Sequence, residues 1–160
     1  MEIEFLTDLL CKFRDALEFV SNNRLYGRLN IFEYFPNGCC CYTSDLLATF
    51  LVDSGVSKER IQIVDGQTKK FDYTHCWLVI DEVLCIDITA DQFNGKLYFK
   101  KYEPIPKCVI TQINTYFYEL FDITKTQFRK NVGVDTYSAD ISLKLKIVYD
   151  ETIKQLNNGL

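Results

Sequence analysis

The sequence predicts an α+β fold in which N-terminal helices pack on an antiparallel β-sheet. Apolar residues recur at helical spacing in the first third of the chain, and at a spacing of two after about residue 60. No repeat, linker or low-complexity tract interrupts the chain. We therefore expect a single domain over residues 1–160, long enough to bury roughly 70% of its unfolded surface around one core.

Two helices are predicted in the first third of the chain, over Ile3–Val20 and Cys40–Asp53. A third is predicted near the end, over residues 141–156. Ser21 follows the apolar stripe of the first helix, and Gly55 is well placed to end the second. Residues 24–38 are expected to form an ordered loop or a short helix. The last segment remains open between helix and strand, because its apolar residues over 141–147 also alternate.

The middle of the chain is predicted to be mainly strand. The predicted strands are Arg60–Asp65, Tyr73–Ile80, Leu84–Thr89, Lys96–Tyr102 and Cys108–Thr111. Two polar pairs, Asp65-Gly66 and Asp81-Glu82, are typical turn residues. The stretch Gln112–Phe121 is expected to be helical.

Charge and hydropathy narrow the range of partners. The net charge is −4 at pH 7, which argues against a nucleic-acid-binding protein, because such proteins usually carry a basic stripe. No apolar run reaches the ~20 residues that cross a membrane. Glu2, Glu4 and Asp8 interrupt the start of the chain, unlike a secretory signal. The sequence therefore predicts a cytoplasmic protein that binds neither nucleic acid nor membrane.

Seven cysteines accompany a single histidine, His75. An odd number of cysteines cannot close entirely into intrachain disulfides, and the three adjacent ones at 39–41 cannot all be bridged within disulfide geometry. No C-x-x-C pair is followed by a second pair at zinc-finger spacing, so no metal site and no cofactor are predicted. Most of the cysteines are expected to be buried free thiols.

Three segments carry groups suited to nucleophilic chemistry. Phe35–Cys41 opens the second helix, where the helix dipole and free N–H groups favour a thiolate and can hold an oxyanion. His75 and Asp87 follow on consecutive predicted strands. In a cysteine–histidine–aspartate relay the imidazole takes the thiol proton, and the carboxylate orients the ring.

The length of the connection between the two strands tests this pairing. Side chains opposite each other across a hairpin point to the same face. A two-residue turn at Asp81-Glu82 would turn Asp87 away from His75. A three-residue connection would put Trp77 opposite Asp87, with His75 diagonal to Asp87 on the same face. The catalytic interpretation therefore requires an odd-length connection or a bulge.

Each of these residues also has a structural interpretation. The cysteines can be core thiols, and a single histidine on a strand can be structural. A carboxylate between two isoleucines is costly unless it is paired, but Asp87 can accept backbone N–H groups or face solvent. Asp91 is a rival carboxylate. Helical spacing does not separate Cys39 from Cys40, because both align with apolar residues of the second helix.

The pattern resembles the papain-like and transglutaminase-like cysteine superfamily. The segment His75–Leu78 is similar to the H-A-W-hydrophobic strand of those proteins, and Ile86–Thr89 to their hydrophobic-Asp-Pro-Thr strand. The resemblance implies a cysteine that opens a helix packed on an antiparallel sheet, with the histidine and the aspartate on the next two strands.

A narrower resemblance concerns a group of uncharacterised bacterial proteins with the motifs F-P-x-G-x-C, H-A-W-L and I-D-I-T-A-D-Q-F. Phe35–Cys40 is similar to the first motif and Ile86–Phe93 to the last. Matched in this way, the resemblance implies a catalytic triad of Cys40, His75 and Asp87.

The triad implies a cysteine-dependent amidase or acyl-transfer enzyme of the protease, glutamine deamidase or transglutaminase type. It would act on a protein or peptide substrate through a thioester, without a cofactor. We expect Trp77 to wall the site on the substrate side, and a polar side chain near Asn37 to help to hold the oxyanion. The alternative is an interaction module that keeps the fold without turnover.

Overall fold

Residues 3–159 form three α-helices and a five-stranded antiparallel sheet, which confirms the predicted α+β class. These are the residues that the computed structural model describes, with side chains from residue 5 onward. The helices are α1 (Ile3–Asn22), α2 (Cys40–Asp53) and α3 (Ala139–Asn157). The strands are β1 (Ile61–Gln67), β2 (Thr74–Ile80), β3 (Leu84–Asp87), β4 (Val109–Gln112) and β5 (Gln127–Arg129). The strand order β4-β3-β2-β1-β5 places β2 in the centre.

Helix α2 has the predicted bounds, and Gly55 follows its end. Gly55 has a φ of +95°, and the next residue, Val56, donates its N–H to Leu51 O at 2.9 Å. The last segment, which the sequence left open between helix and strand, is a helix, α3. Its buried residues are Leu145, Val148, Tyr149 and Thr152. Within the described range, no helix is long and apolar enough to span a membrane.

The sheet has two buried faces with different coverings. The helices pack on the face that carries Cys76 and Leu78, which we call the helical face. The segment 90–121 covers the opposite face, which carries Trp77 and which we call the aromatic face. Because side chains alternate along a strand, His75 belongs to the aromatic face with Trp77.

The cover of the aromatic face differs from the prediction. The strand expected at Lys96–Tyr102 is wrong, because residues 97–102 form a 3-10 helix. The helix expected over Gln112–Phe121 is reduced to a 3-10 helix at Tyr116–Leu120. Phe99 stacks on Phe93 at 4.1 Å between ring centroids, so the backbone bends to bring rings together instead of extending.

The turn predicted at Asp65-Gly66 is also wrong, because both residues lie inside β1. Gly66 pairs in register with His75. A Cβ atom on Gly66 would lie 2.7 Å from Trp77 Cη2 and 2.9 Å from Phe121 Cδ1. Glycine is therefore needed here because the Trp77 and Phe121 rings occupy the space above the strand.

The connection between β2 and β3 has the length that the catalytic interpretation requires. Ile80 pairs with Leu84, so three residues join the strands. The first two of them have φ values of +53° and +60°, which is the left-handed region favoured in tight hairpin turns. This register brings Asp87 and His75 to the same face of the sheet.

Candidate active site

Cys40 is the first residue of α2 and follows a turn that contains Gly38, whose φ is +72°. The Cys40 side chain is half-buried, and its thiol lies close to His75. Burial would raise the pKa of this thiol, but its interaction with His75 outweighs burial and lowers the pKa below its ordinary value. The first N–H groups of α2 point away from the helix body, where they can stabilise negative charge.

His75 lies at the start of β2 and is almost fully buried. Its Nε2 atom is 2.6 Å from Asp87 Oδ2. Burial opposes a charged ring, but Asp87 and then Cys40 outweigh it and raise the pKa of His75 to about 10. Asp87 engages Nε2, and the other ring nitrogen, Nδ1, lies 3.1 Å from Gln92 Nε2. The pair is therefore favoured as a thiolate and an imidazolium.

Asp87 is held by four hydrogen bonds in a buried position. Besides His75, its partners are the Tyr118 hydroxyl (2.9 Å), the Thr89 N–H (2.8 Å) and the Thr89 hydroxyl (3.0 Å). Burial would raise the pKa of this carboxyl, but the charge of His75 and these donors lower it. The free-energy cost of burying the Asp87 carboxylate is thus offset by its hydrogen bonds and by its pairing with His75. Asp87 therefore makes both of the contacts considered for it from the sequence, one with a backbone N–H group and one with the histidine.

The structure separates the two cysteines that helical spacing left equivalent. Cys39 is 1% exposed, and its thiol contacts the Pro36 carbonyl oxygen and the Thr43 hydroxyl, each at 3.6 Å. Burial raises the pKa of Cys39 to about 12. Cys40 is therefore the cysteine whose environment favours a thiolate.

Aromatic rings enclose His75. The ring of Trp77 stacks on it at 5.7 Å, and Phe93 meets it edge-on at 4.9 Å between centroids. Trp77 is only 5% exposed, so it walls the imidazole and offers a substrate little surface. Asn37, expected near the oxyanion, lies exposed three residues before Cys40, and its backbone N–H donates to Tyr34 O at 2.8 Å.

The rival carboxylate, Asp91, pairs with Arg14 of α1. The Arg14 side chain is fully buried, with Nη2 2.9 Å from Asp91 Oδ2 and the guanidinium 4.2 Å above the centre of the Phe35 ring. Arg14 thereby joins the turn before Cys40 to the loop after Asp87. Sequence reasoning missed it, although a charged residue inside the apolar stripe of α1 was a usable indication.

Gln92 is a second residue that sequence reasoning left without a role, although it lies within the I-D-I-T-A-D-Q-F motif. Its Nε2 atom donates to Thr89 O at 2.9 Å and lies 3.1 Å from His75 Nδ1. A donor at this atom stabilises the neutral ring, in which Nδ1 is an acceptor. Gln92 therefore contacts the ring nitrogen that Asp87 does not engage.

Most of the cysteines are free thiols as expected, but only Cys39 and Cys85 of these are buried, and Cys41 and Cys76 form a disulfide. The start of α2 packs on the start of β2 with Cys76 facing the helix, so the two Cα atoms come within 4.9 Å. Cys41 directly follows Cys40, and Cys76 directly follows His75. The three sulfur atoms of Cys40, Cys41 and Cys76 lie within 4.8 Å of one another.

Comparisons of the chain with protein-family profiles, with curated proteins and with solved structures find no match.

Proposed function

We propose that this protein is a cysteine-dependent amidase or acyl-transfer enzyme with Cys40 as nucleophile, His75 as proton shuttle and Asp87 as the residue that orients His75. The observation that carries the proposal is the buried His75–Asp87 pair, with Nε2 2.6 Å from Oδ2, close to the Cys40 thiol at the start of α2. The lowered pKa of Cys40 and the raised pKa of His75 both favour the reactive ion pair.

The reaction begins when the Cys40 thiolate attacks an amide carbonyl carbon and forms a C–S bond. The electron pair of the carbonyl moves to oxygen, and the N–H groups at the start of α2, with Asn37 beside them, stabilise the oxyanion. His75 Nδ1–H then protonates the leaving nitrogen as the C–N bond breaks. A thioester on Cys40 and a neutral His75 remain.

The second half of the reaction returns the enzyme to its starting state. Neutral His75 takes a proton from the acceptor, whose oxygen or nitrogen attacks the thioester, and the C–S bond breaks to regenerate the Cys40 thiolate. Gln92 lies against His75 Nδ1 and favours the neutral ring at this stage. Water as acceptor gives hydrolysis or deamidation, whereas an amine gives transfer or crosslinking.

The resemblance to papain-like and transglutaminase-like proteins supports the same assignment. In both, a cysteine begins a helix that packs on an antiparallel sheet, and the histidine and aspartate lie on two consecutive strands of that sheet. In this chain these positions are the start of α2, the start of β2 and the end of β3.

An acylation experiment tests the proposal. With p-nitrophenyl acetate near neutral pH we expect a burst of p-nitrophenol and one acetyl group, mapped by peptide mass spectrometry to Cys40. His75→Ala should suppress the burst, and Cys108→Ser, which removes another half-buried free thiol, should leave it unchanged. Acetylation spread evenly over the free thiols, or no burst at all, would overturn the proposal in favour of an interaction module.

A further inference from the structure

An open apolar groove lies on the surface beside the candidate site. Phe71, Tyr73, Leu97 and Tyr98 line a volume of about 320 Å³. Phe71 is 73% exposed and Leu97 is 83% exposed. Clustered exposed apolar side chains of this kind mark interaction surfaces, because exposure contributes nothing to folding stability.

The backbone holds one of these side chains in an unusual conformation. Phe71 has a φ of +68° and the following residue one of +51°, a region that bulky side chains rarely adopt. The Phe71 ring meets Tyr98 edge-on at 5.2 Å across the groove. The hairpin between β1 and β2 is thus shaped to present an aromatic ring to solvent.

One buried ring separates the groove from the proposed catalytic histidine. Tyr73 precedes His75 by two residues, immediately before the start of β2. The Tyr73 ring contacts Phe93 at 6.4 Å, and Phe93 contacts His75 at 4.9 Å between centroids. Two such ring contacts span a distance that one to three residues of an extended peptide can cover.

One basic residue, Lys96, stands at the rim of the groove, although the chain as a whole is acidic. Lys96 Nζ lies 5.1 Å from the ring centres of both Tyr73 and Phe93. No described carboxylate lies within ion-pair distance of Lys96, so its charge is available to a ligand. By contrast, Lys69 Nζ donates to Glu119 O and Lys101 pairs with the Glu119 carboxylate, while Glu103 accepts the N–H of Gly95. Asp72 is the acidic residue adjacent to Phe71 in the same turn.

We propose that this groove is the substrate subsite of the enzyme, and that it takes a large apolar side chain from an acidic peptide segment next to the amide that reacts. The inference rests on the proposed function. The apolar walls select the anchoring side chain, and Lys96 selects acidic neighbours through charge.

Three peptide chloromethyl ketones test the subsite, because the Cys40 thiolate displaces chloride from them and forms a stable C–S bond. The probes are the N-acetyl forms of Glu-Phe-Gly, Glu-Ser-Gly and Lys-Phe-Gly. We expect Glu-Phe-Gly to alkylate Cys40 at least roughly tenfold faster than Glu-Ser-Gly. It should also react several-fold faster than Lys-Phe-Gly at low salt, with the gap closing at high salt.

Two exposed positions allow matched variants. Leu97→Ser should remove the preference for phenylalanine, and Lys96→Glu should reverse the preference for the acidic peptide. Leu143→Ser and Lys146→Glu, which change exposed residues of α3, should leave both preferences unchanged. Iodoacetamide, which is too small to reach the groove, should alkylate Cys40 at the same rate in all variants.

The outcomes separate the subsite from the proposed function. If iodoacetamide does not react selectively with Cys40, the proposed function fails. If it does, but the three peptides react equally fast or the basic peptide reacts fastest, the subsite proposal alone is overturned. A concentration-dependent dimer in sedimentation that Leu97→Ser dissociates, together with equal peptide rates, would assign the groove to a second copy of the chain and also overturn it.

Discussion

The two faces of the sheet hold the two halves of the candidate site in different ways. On the helical face, Cys40 is fixed by the backbone of α2, which a disulfide ties to β2 through Cys41 and Cys76. On the aromatic face, His75 and Asp87 are fixed by side-chain hydrogen bonds and ring contacts from an irregular segment. One half is positioned by regular packing, and the other by individual polar and aromatic contacts.

Substitutions on the two faces are therefore expected to affect different properties of the protein. Changes to the polar groups on the aromatic face should alter the charge and orientation of His75, and hence the chemistry, more than the free energy of unfolding. Changes beneath the helical face should lower stability first.

The largest effect is expected from Asp87→Asn on the aromatic face. Asparagine keeps the size of the side chain but cannot balance the charged imidazole, so acyl transfer from p-nitrophenyl acetate should fall roughly 10³- to 10⁴-fold. Asp65→Asn, an exposed aspartate on β1, is the matched control and should have no effect. A rate within a few-fold of wild type in Asp87→Asn would contradict the role of Asp87.

Arg14→Met tests the helical side. It leaves Asp91 without its cation, so the free energy of unfolding in urea should fall by about 3–5 kcal/mol. Lys12→Met removes an exposed ion pair with Asp8 on the same helix and should cost less than about 1 kcal/mol. If Arg14→Met slowed the alkylation of Cys40 without lowering stability, the comparison of the two faces would be wrong.

Gly66→Ala places a methyl group against the Trp77 and Phe121 rings and should cost about 1–3 kcal/mol of unfolding free energy. Trp77→Leu should relieve part of the clash, so the double variant should be more stable than the sum of the single effects predicts. Strict additivity of the two substitutions would show that the Trp77 ring does not require glycine at position 66.

The smallest expected effect is a shift in a pH profile. Because the pKa of Cys40 is lowered, its rate of alkylation by iodoacetamide should stay near its plateau at pH values where an ordinary thiol already loses about tenfold per pH unit. His75→Gln should move the midpoint upward, towards that of an ordinary thiol. A wild-type midpoint at or above the ordinary value would contradict the ion pair.

Regular elements and local register could be predicted from the sequence. The bounds of α2 follow from an apolar stripe that ends before a glycine, and the pairing of His75 with Asp87 follows from strand parity once the connection has three residues. Both depend on neighbours in sequence, where period and turn chemistry act directly.

Contacts between distant segments could not be predicted in the same way. The Cys41–Cys76 disulfide, the Arg14–Asp91 pair and the short strand β5 depend on how α1, α2 and the sheet pack in three dimensions. Lys96–Tyr102 was predicted to be a strand because its aromatic residues are typical of strands. In the structure residues 97–102 form a 3-10 helix, because this backbone lets the Phe99 ring stack on Phe93.

The disulfide beside Cys40 has a practical consequence for handling the protein. A reducing agent added to keep the Cys40 thiol free also acts on the Cys41–Cys76 bond. The sulfur atoms of Cys40, Cys41 and Cys76 lie within 4.8 Å of one another while the bond is closed, so reduction would leave three neighbouring thiols, which are soft ligands suited to Zn²⁺. Bound zinc would block the Cys40 thiol, so its reactivity should be compared with and without reductant, in each case with a chelator present.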